Sequence, residues 1–170
     1  LIGIFYSHPK SKVSANRVEG LLLLTFGYIG LSFMIGWPLY RDFAFLPMWY
    51  LGFLFVSDIG AGMVKDYCDY EGDKQYGLKT LPVTMGYNKA IKLNMLLYCM
   101  PFLLMLILSL SGYLNTGFSV IGILFPITGV IIFYSLIRDH AKSTARRAYW
   151  FMTANIILLR IFATWAFLYF

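Results

Sequence analysis

Residues Val64 to Gly86 read V-K-D-Y-C-D-Y-E-G-D-K-Q-Y-G-L-K-T-L-P-V-T-M-G. The 170-residue chain holds 8 acidic residues, and four of them, Asp66, Asp69, Glu71 and Asp73, fall within these few positions. The sequence on either side is overwhelmingly apolar. A knot of carboxylates in such a chain calls for a cation, and hard oxygen donors suit Mg²⁺ or Ca²⁺.

Working outward, the flanks decide the fold class. Only 13% of the chain is charged, whereas 59% is hydrophobic and 19% aromatic. A soluble domain carries about 25% charge. The apolar residues come in runs near the ~20 residues that cross a bilayer as helix. The composition therefore predicts an all-α, polytopic bundle of transmembrane helices in a lipid bilayer. Expected spans are residues 20–40, 43–64, 91–111, 118–137 and 148–170, with a motif loop at 65–90. Residues 93–137 contain no charge, too long a stretch for one helix, and Ser111–Gly117 (S-G-Y-L-N-T-G) supplies the turn that divides it. Pro101 and Pro126 are expected to kink their helices. Leu1–Phe5 reads as the end of a helix that begins upstream, and no signal-peptide pattern opens the chain. No internal repeat is visible.

The net charge is +6. Of the 14 basic residues, 12 fall in three loops: Lys10, Lys12 and Arg17; Lys65, Lys74, Lys79, Lys89 and Lys92; Arg138, Lys142, Arg146 and Arg147. Placement between apolar runs marks them as topology signals and headgroup contacts, which excludes nucleic acid as a partner. By the positive-inside rule these loops, and the aspartate motif with them, are cytoplasmic. Cys68 and Cys99 make no disulfide framework, and His8 and His140 have no neighbouring His to share a metal.

Asp66, Asp69 and Asp73 are spaced i, i+3, i+7, which puts them on one face of a helix continuing from the second span. A calcium loop starting at Asp69 fails, because its sixth position is Lys74 rather than Gly and its twelfth is Thr80 rather than Glu. A solvated helix end and the cation path of a coupled transporter, with Asp58 in the membrane, are the rival readings. Lys74 and Lys79, with Gly72 and Gly77 permitting backbone approach, fit a phosphate ligand. Asp58 either lines an internal cavity or pairs with a basic residue such as Arg160.

The pattern K-D-x-x-D-x-E-G-D-x-x-x-G-x-K-T-L-P-V after an apolar helix resembles the second aspartate-rich motif of the UbiA superfamily of intramembrane prenyltransferases. Phe5–Pro9 (F-Y-S-H-P) is similar to that family's Tyr-Ser-Pro segment. The resemblance covers the chain as the family's C-terminal half, five helices of an expected nine.

The resemblance implies Mg²⁺-dependent transfer of a prenyl group from a prenyl diphosphate to a lipophilic acceptor. Within the family that acceptor is either an aromatic, quinone- or chlorophyll-type molecule or, in archaeal ether-lipid synthesis, a glycerol phosphate lipid. It implies metal ligation by Asp66, Asp69 and Asp73. Lys79, with Lys74, would contact the diphosphate. Tyr6 and Ser7 would lie near the reacting prenyl carbon or the diphosphate. Asp58 would line the substrate cavity. The family's first motif, N-D-x-x-D-x-x-x-D, belongs upstream of these residues. These 170 residues alone are then expected to be inactive.

Overall fold

The computed structural model describes residues 22–23, 25–27 and 48–169. Within residues 48–169 the chain forms seven helices, and among the described residues there is no strand. They are α1 (Met48–Gly62), α2 (Val64–Cys68), α3 (Tyr70–Gln75), α4 (Leu81–Met85), α5 (Tyr87–Leu110), α6 (Gly117–Arg138) and α7 (Lys142–Tyr169). The expected first span at 20–40 and the Tyr6–Ser7 segment lie outside the described residues, apart from the few near position 25.

Helices α5 and α6, of 24 and 22 residues, are long and apolar enough to cross a membrane. At 1.5 Å per residue they reach about 36 and 33 Å, against a hydrocarbon core of about 30 Å. Pro101 and Pro126 sit inside them. The turn between them is closed by Gly112, at φ +78°. That left-handed residue lets the Tyr113 N–H return to the Leu108 carbonyl at 2.9 Å, a glycine-dependent helix stop. The Asn115 amide then donates to the Ala166 carbonyl at 3.2 Å, tying the turn to the far end of α7.

α5 is the central element: α1 packs on one side of it and α6 on another, while α7 packs on α6 and α2. Two close approaches set this arrangement. A Cβ on Gly60 would lie 2.6 Å from the Tyr98 backbone nitrogen and 2.7 Å from the Asn94 carbonyl oxygen. A Cβ on Gly122 would lie 2.8 Å from the Leu106 backbone nitrogen. Small residues at such crossings let helix backbones touch, and in a bilayer this packing is a main source of association.

A polar knot joins the three longest helices, α5, α6 and α7. Asn155 of α7, buried, donates to the Tyr98 hydroxyl of α5 and to the Thr128 hydroxyl of α6, each at 2.8 Å. In an apolar interior these groups need partners, and each supplies another's. Around the knot lies a core of Phe102, Phe125, Phe133, Met105 and Leu136, all essentially without exposure.

α7 begins where the Asp139 carboxylate accepts hydrogen bonds from the Ala141 N–H at 2.9 Å and from the Thr144 hydroxyl. Those two donors hold the Asp139 carboxyl below its ordinary pKa.

Candidate functional site

The aspartate segment does not continue α1 as one straight helix. The chain tightens at Met63, where the Asp66 N–H bonds the Met63 carbonyl three residues back at 3.1 Å. It bends again at Asp69, with φ −104° and ψ 5°. The single helical face expected for Asp66, Asp69 and Asp73 is thereby broken into two short turns. The cause is local: Asp and Gly are poor helix residues, and the Asp69 carbonyl opens the next turn by accepting the Asp73 N–H at 2.8 Å.

The three carboxylates consequently differ in setting. Asp66 is half-buried, Asp69 is exposed at the bend, and Asp73 is buried, at 5% exposure. Among the described residues, no three His, Cys, Asp or Glu side chains converge into a group able to hold a metal by themselves. The donor chemistry still fits Mg²⁺. That ion takes one or two carboxylates and completes its shell with phosphate oxygens and water, rather than filling an all-protein cage.

Beyond Asp73 the chain is re-aimed by Gly77, at φ +66°. The Leu78 N–H returns to the Asp73 carbonyl at 2.8 Å, which stops α3 and starts the G-L-K-T-L-P run. Lys74 and Lys79 are exposed on either side of this stop. Thr80 is fully buried and extended, and Pro82 fits the first turn of α4.

An aromatic shelf underlies the segment. The Tyr87 ring lies 5.0 Å from that of Tyr67 and 5.2 Å from that of Tyr70, both edge-on. The His140 ring centroid lies 4.3 Å from that of Tyr87, with Nε2 3.0 Å from the Asn88 side-chain oxygen. Tyr67 is 2% exposed. Burial first, then the neighbouring Tyr87 and Asp66, push its hydroxyl above its ordinary pKa, while the hydrogen bond from Asn94 pulls the other way. Burial and the adjacent Asp69 likewise push the Cys68 thiol up, against the opposing charges of Arg146, Lys142 and Lys65. The start of α7 therefore faces the aspartate segment with positive charge.

Asp58, eight residues before Asp66, is ion-paired with Arg160 of α7 at 3.2 Å. Sequence reasoning raised that pair. It missed Tyr67 and Asn94, whose signal was an amide at the head of an otherwise apolar run. Tyr6 and Ser7 lie outside the described residues.

A carboxylate-rich segment at the end of a membrane-bundle helix is thus followed by a glycine-stopped turn with two exposed lysines. The UbiA prenyltransferase family model matches residues 1–157; the chain belongs to that family. It is similar over 94 residues to chloroplastic chlorophyll synthases, 32% identical in Oryza sativa subsp. japonica, 32% in Avena sativa and 31% in Arabidopsis thaliana. Each match covers 53% of this chain and 24, 24 and 23% of the respective relative. The matched region thus spans about a quarter of the relatives' length. No solved structure matches the chain. Family membership and the two apolar helices make this an integral membrane protein.

Proposed function

We propose that this chain supplies the second aspartate-rich half of a Mg²⁺-dependent site that transfers a prenyl group from a prenyl diphosphate to a lipophilic acceptor. The observation that carries the reading is the motif segment itself. Asp73 is buried and Asp66 half-buried at the end of a bundle helix, and Lys74 and Lys79, which follow them in the chain, are exposed.

In this reading Asp66, Asp69 and Asp73 would be the metal-facing carboxylates, one or two of them reaching an ion whose remaining ligands are phosphate oxygens and water. When bound, Mg²⁺ supplies charge neutralisation for the diphosphate as leaving group. Lys79, and with it Lys74, binds diphosphate oxygens as ammonium point charges. Tyr6 and Ser7 stand near the reacting carbon or the diphosphate. Aromatic faces, of which the chain offers 15 Phe, 13 Tyr and 4 Trp, shelter the positive charge that develops on the prenyl carbon. Asp58, fixed by Arg160, forms part of the cavity wall. The named function of the similar plant proteins favours a chlorophyll-type acceptor. The Lys/Arg distribution favours a cytoplasmic position for the motif.

The test is diphosphate release from labelled geranylgeranyl diphosphate by the full-length protein in lipid. The reading requires release that depends on Mg²⁺ and is lost in Asp69→Ala. Release indifferent to both contradicts it, and gradient-driven cation flux through the reconstituted protein would support a transporter instead.

A further inference from the structure

Asn94 is an amide at a position of zero exposure, on the membrane helix α5. Burying an amide in an apolar setting costs free energy unless a hydrogen bond offsets it. The offset is one bond: the Asn94 Nδ2 donates to the Tyr67 hydroxyl at 2.8 Å. Its Oδ1 is buried and, among the described residues, without a partner. Packing alone would favour Leu or Ile at this position, so the amide's described role is to grip Tyr67.

Tyr67 is the residue after Asp66 and the second before Asp69. It sits in α2, a helix of five residues. An isolated helix of that length has no stability of its own in water, so tertiary contacts fix its orientation. Tyr67 provides them with a ring 2% exposed, set edge-on against Tyr87. Of the side-chain hydrogen bonds described for α2, the one to Asn94 joins it to a rigid helix of 24 residues. The same stretch of α5 is where Gly60 brings α1 into backbone contact, at Asn94 and Tyr98. The helix leading into the turn and the turn itself, at Tyr67 between Asp66 and Asp69, are therefore both referenced to the Asn94–Tyr98 stretch of α5.

We infer that Asn94 is a positioning residue: through Tyr67 it sets the direction in which Asp66 and Asp69 present their carboxylates to a divalent cation. This rests on the metal-site reading proposed above. Groups that orient metal ligands typically contribute about 10–100-fold to metal affinity or activity when removed.

The experiment uses the full-length protein in lipid nanodiscs and titrates Mn²⁺ by electron paramagnetic resonance, in the presence of a non-hydrolysable prenyl diphosphate analogue. Wild type, Asn94→Leu, Asn94→Asp, Tyr67→Phe, the Asn94→Leu/Tyr67→Phe double variant and Asp69→Ala are compared, with the Mg²⁺ dependence of turnover measured in parallel. Asn94→Leu and Tyr67→Phe should each weaken Mn²⁺ binding and raise the Mg²⁺ needed for half-maximal rate by about 10-fold. The double variant should be no worse than either single one, because one bond is lost in all three. Asn94→Asp, which restores a bond only by reversing it and accepting from the Tyr67 hydroxyl, should recover part of the binding, less the cost of burying its charge. Tyr67→Phe keeps the ring packing, so it carries the test even if Asn94→Leu does not fold. Wild-type Mn²⁺ binding that is lost in Asp69→Ala but unchanged in Tyr67→Phe overturns the inference and leaves the metal site standing. Mn²⁺ binding absent from wild type, or indifferent to Asp69, overturns both.

Discussion

The Arg160 guanidinium meets the Asp58 carboxylate at 3.2 Å, joining residues 102 positions apart and pinning the middle of α7 to α1 above the aspartate segment. Asp58 is the more enclosed partner, at 11% exposure against 44% for Arg160. Removing the cation strands a nearly buried carboxylate, and breaking such a pair from one side costs more than deleting both members. Arg160→Gln should lower unfolding stability by about 1–3 kcal/mol, the upper range being reduced by the exposure of Arg160. The Asp58→Asn/Arg160→Gln pair should recover part of that loss. Denaturant titration in mixed micelles measures both, and a double variant worse than the single one would contradict the pairing.

Gly60 sets how closely α1 can approach α5. A methyl group there would press on the Tyr98 nitrogen and the Asn94 carbonyl, backbone atoms that cannot turn aside. Gly60→Ala should cost about 1–3 kcal/mol, as overpacking does. Gly52→Ala, where a Cβ meets nothing within 4 Å, should be neutral. Equal thermal stability of the two variants would show that the crossing is looser than described.

The Asn155 knot makes a smaller prediction. Asn155→Leu leaves the Tyr98 and Thr128 hydroxyls without their amide partner. Interhelical hydrogen bonds in membrane proteins average about 0.6 kcal/mol and reach about 1.7. The variant should lose an amount in that range, read from the unfolding midpoint, and a gain in stability would contradict the network.

The start of α7 should respond to acid. Asp139 has its carboxyl held below the ordinary value by Thr144 and Ala141. A depressed folded-state pKa contributes stability that is present above the unfolded pKa, about 3.9, and is lost as pH falls through the folded value. Amide exchange at Ala141 and Ala145 should be slower in wild type than in Asp139→Ala at pH 6. The difference should shrink as pH falls through the depressed folded value and vanish once both carry a neutral residue at 139. A difference that persists in acid would assign the protection to something other than the carboxylate.

The fold class was legible because a bilayer leaves few choices: charge-free runs of spanning length must be helices. The turn at Ser111–Gly117 was legible for the same kind of reason, since Gly112 in a left-handed conformation is local chemistry. The aspartates were legible as a cluster by their rarity. Their geometry was not. The bend at Asp69 divides an i, i+3, i+7 pattern that would otherwise share a face, and spacing rules assume an unbroken helix. Asn94 and Tyr67 were missed because their bond joins residues 27 apart on different helices. An isolated Asn in an apolar run announces that it needs a partner without naming one. Asp58 and Arg160 could be paired in advance because two charges within membrane spans have few alternatives.

The most direct measurement is diphosphate release from labelled geranylgeranyl diphosphate by the full-length protein carrying Asp73→Asn, which keeps the shape of the buried side chain and removes its charge. With saturating Mg²⁺, release should fall by at least about 100-fold, since even the partners that orient metal ligands contribute about 10–100-fold, while thermal stability stays near wild type. Release at the wild-type rate in a folded Asp73→Asn protein would contradict the assignment of this segment as one side of a metal–diphosphate site.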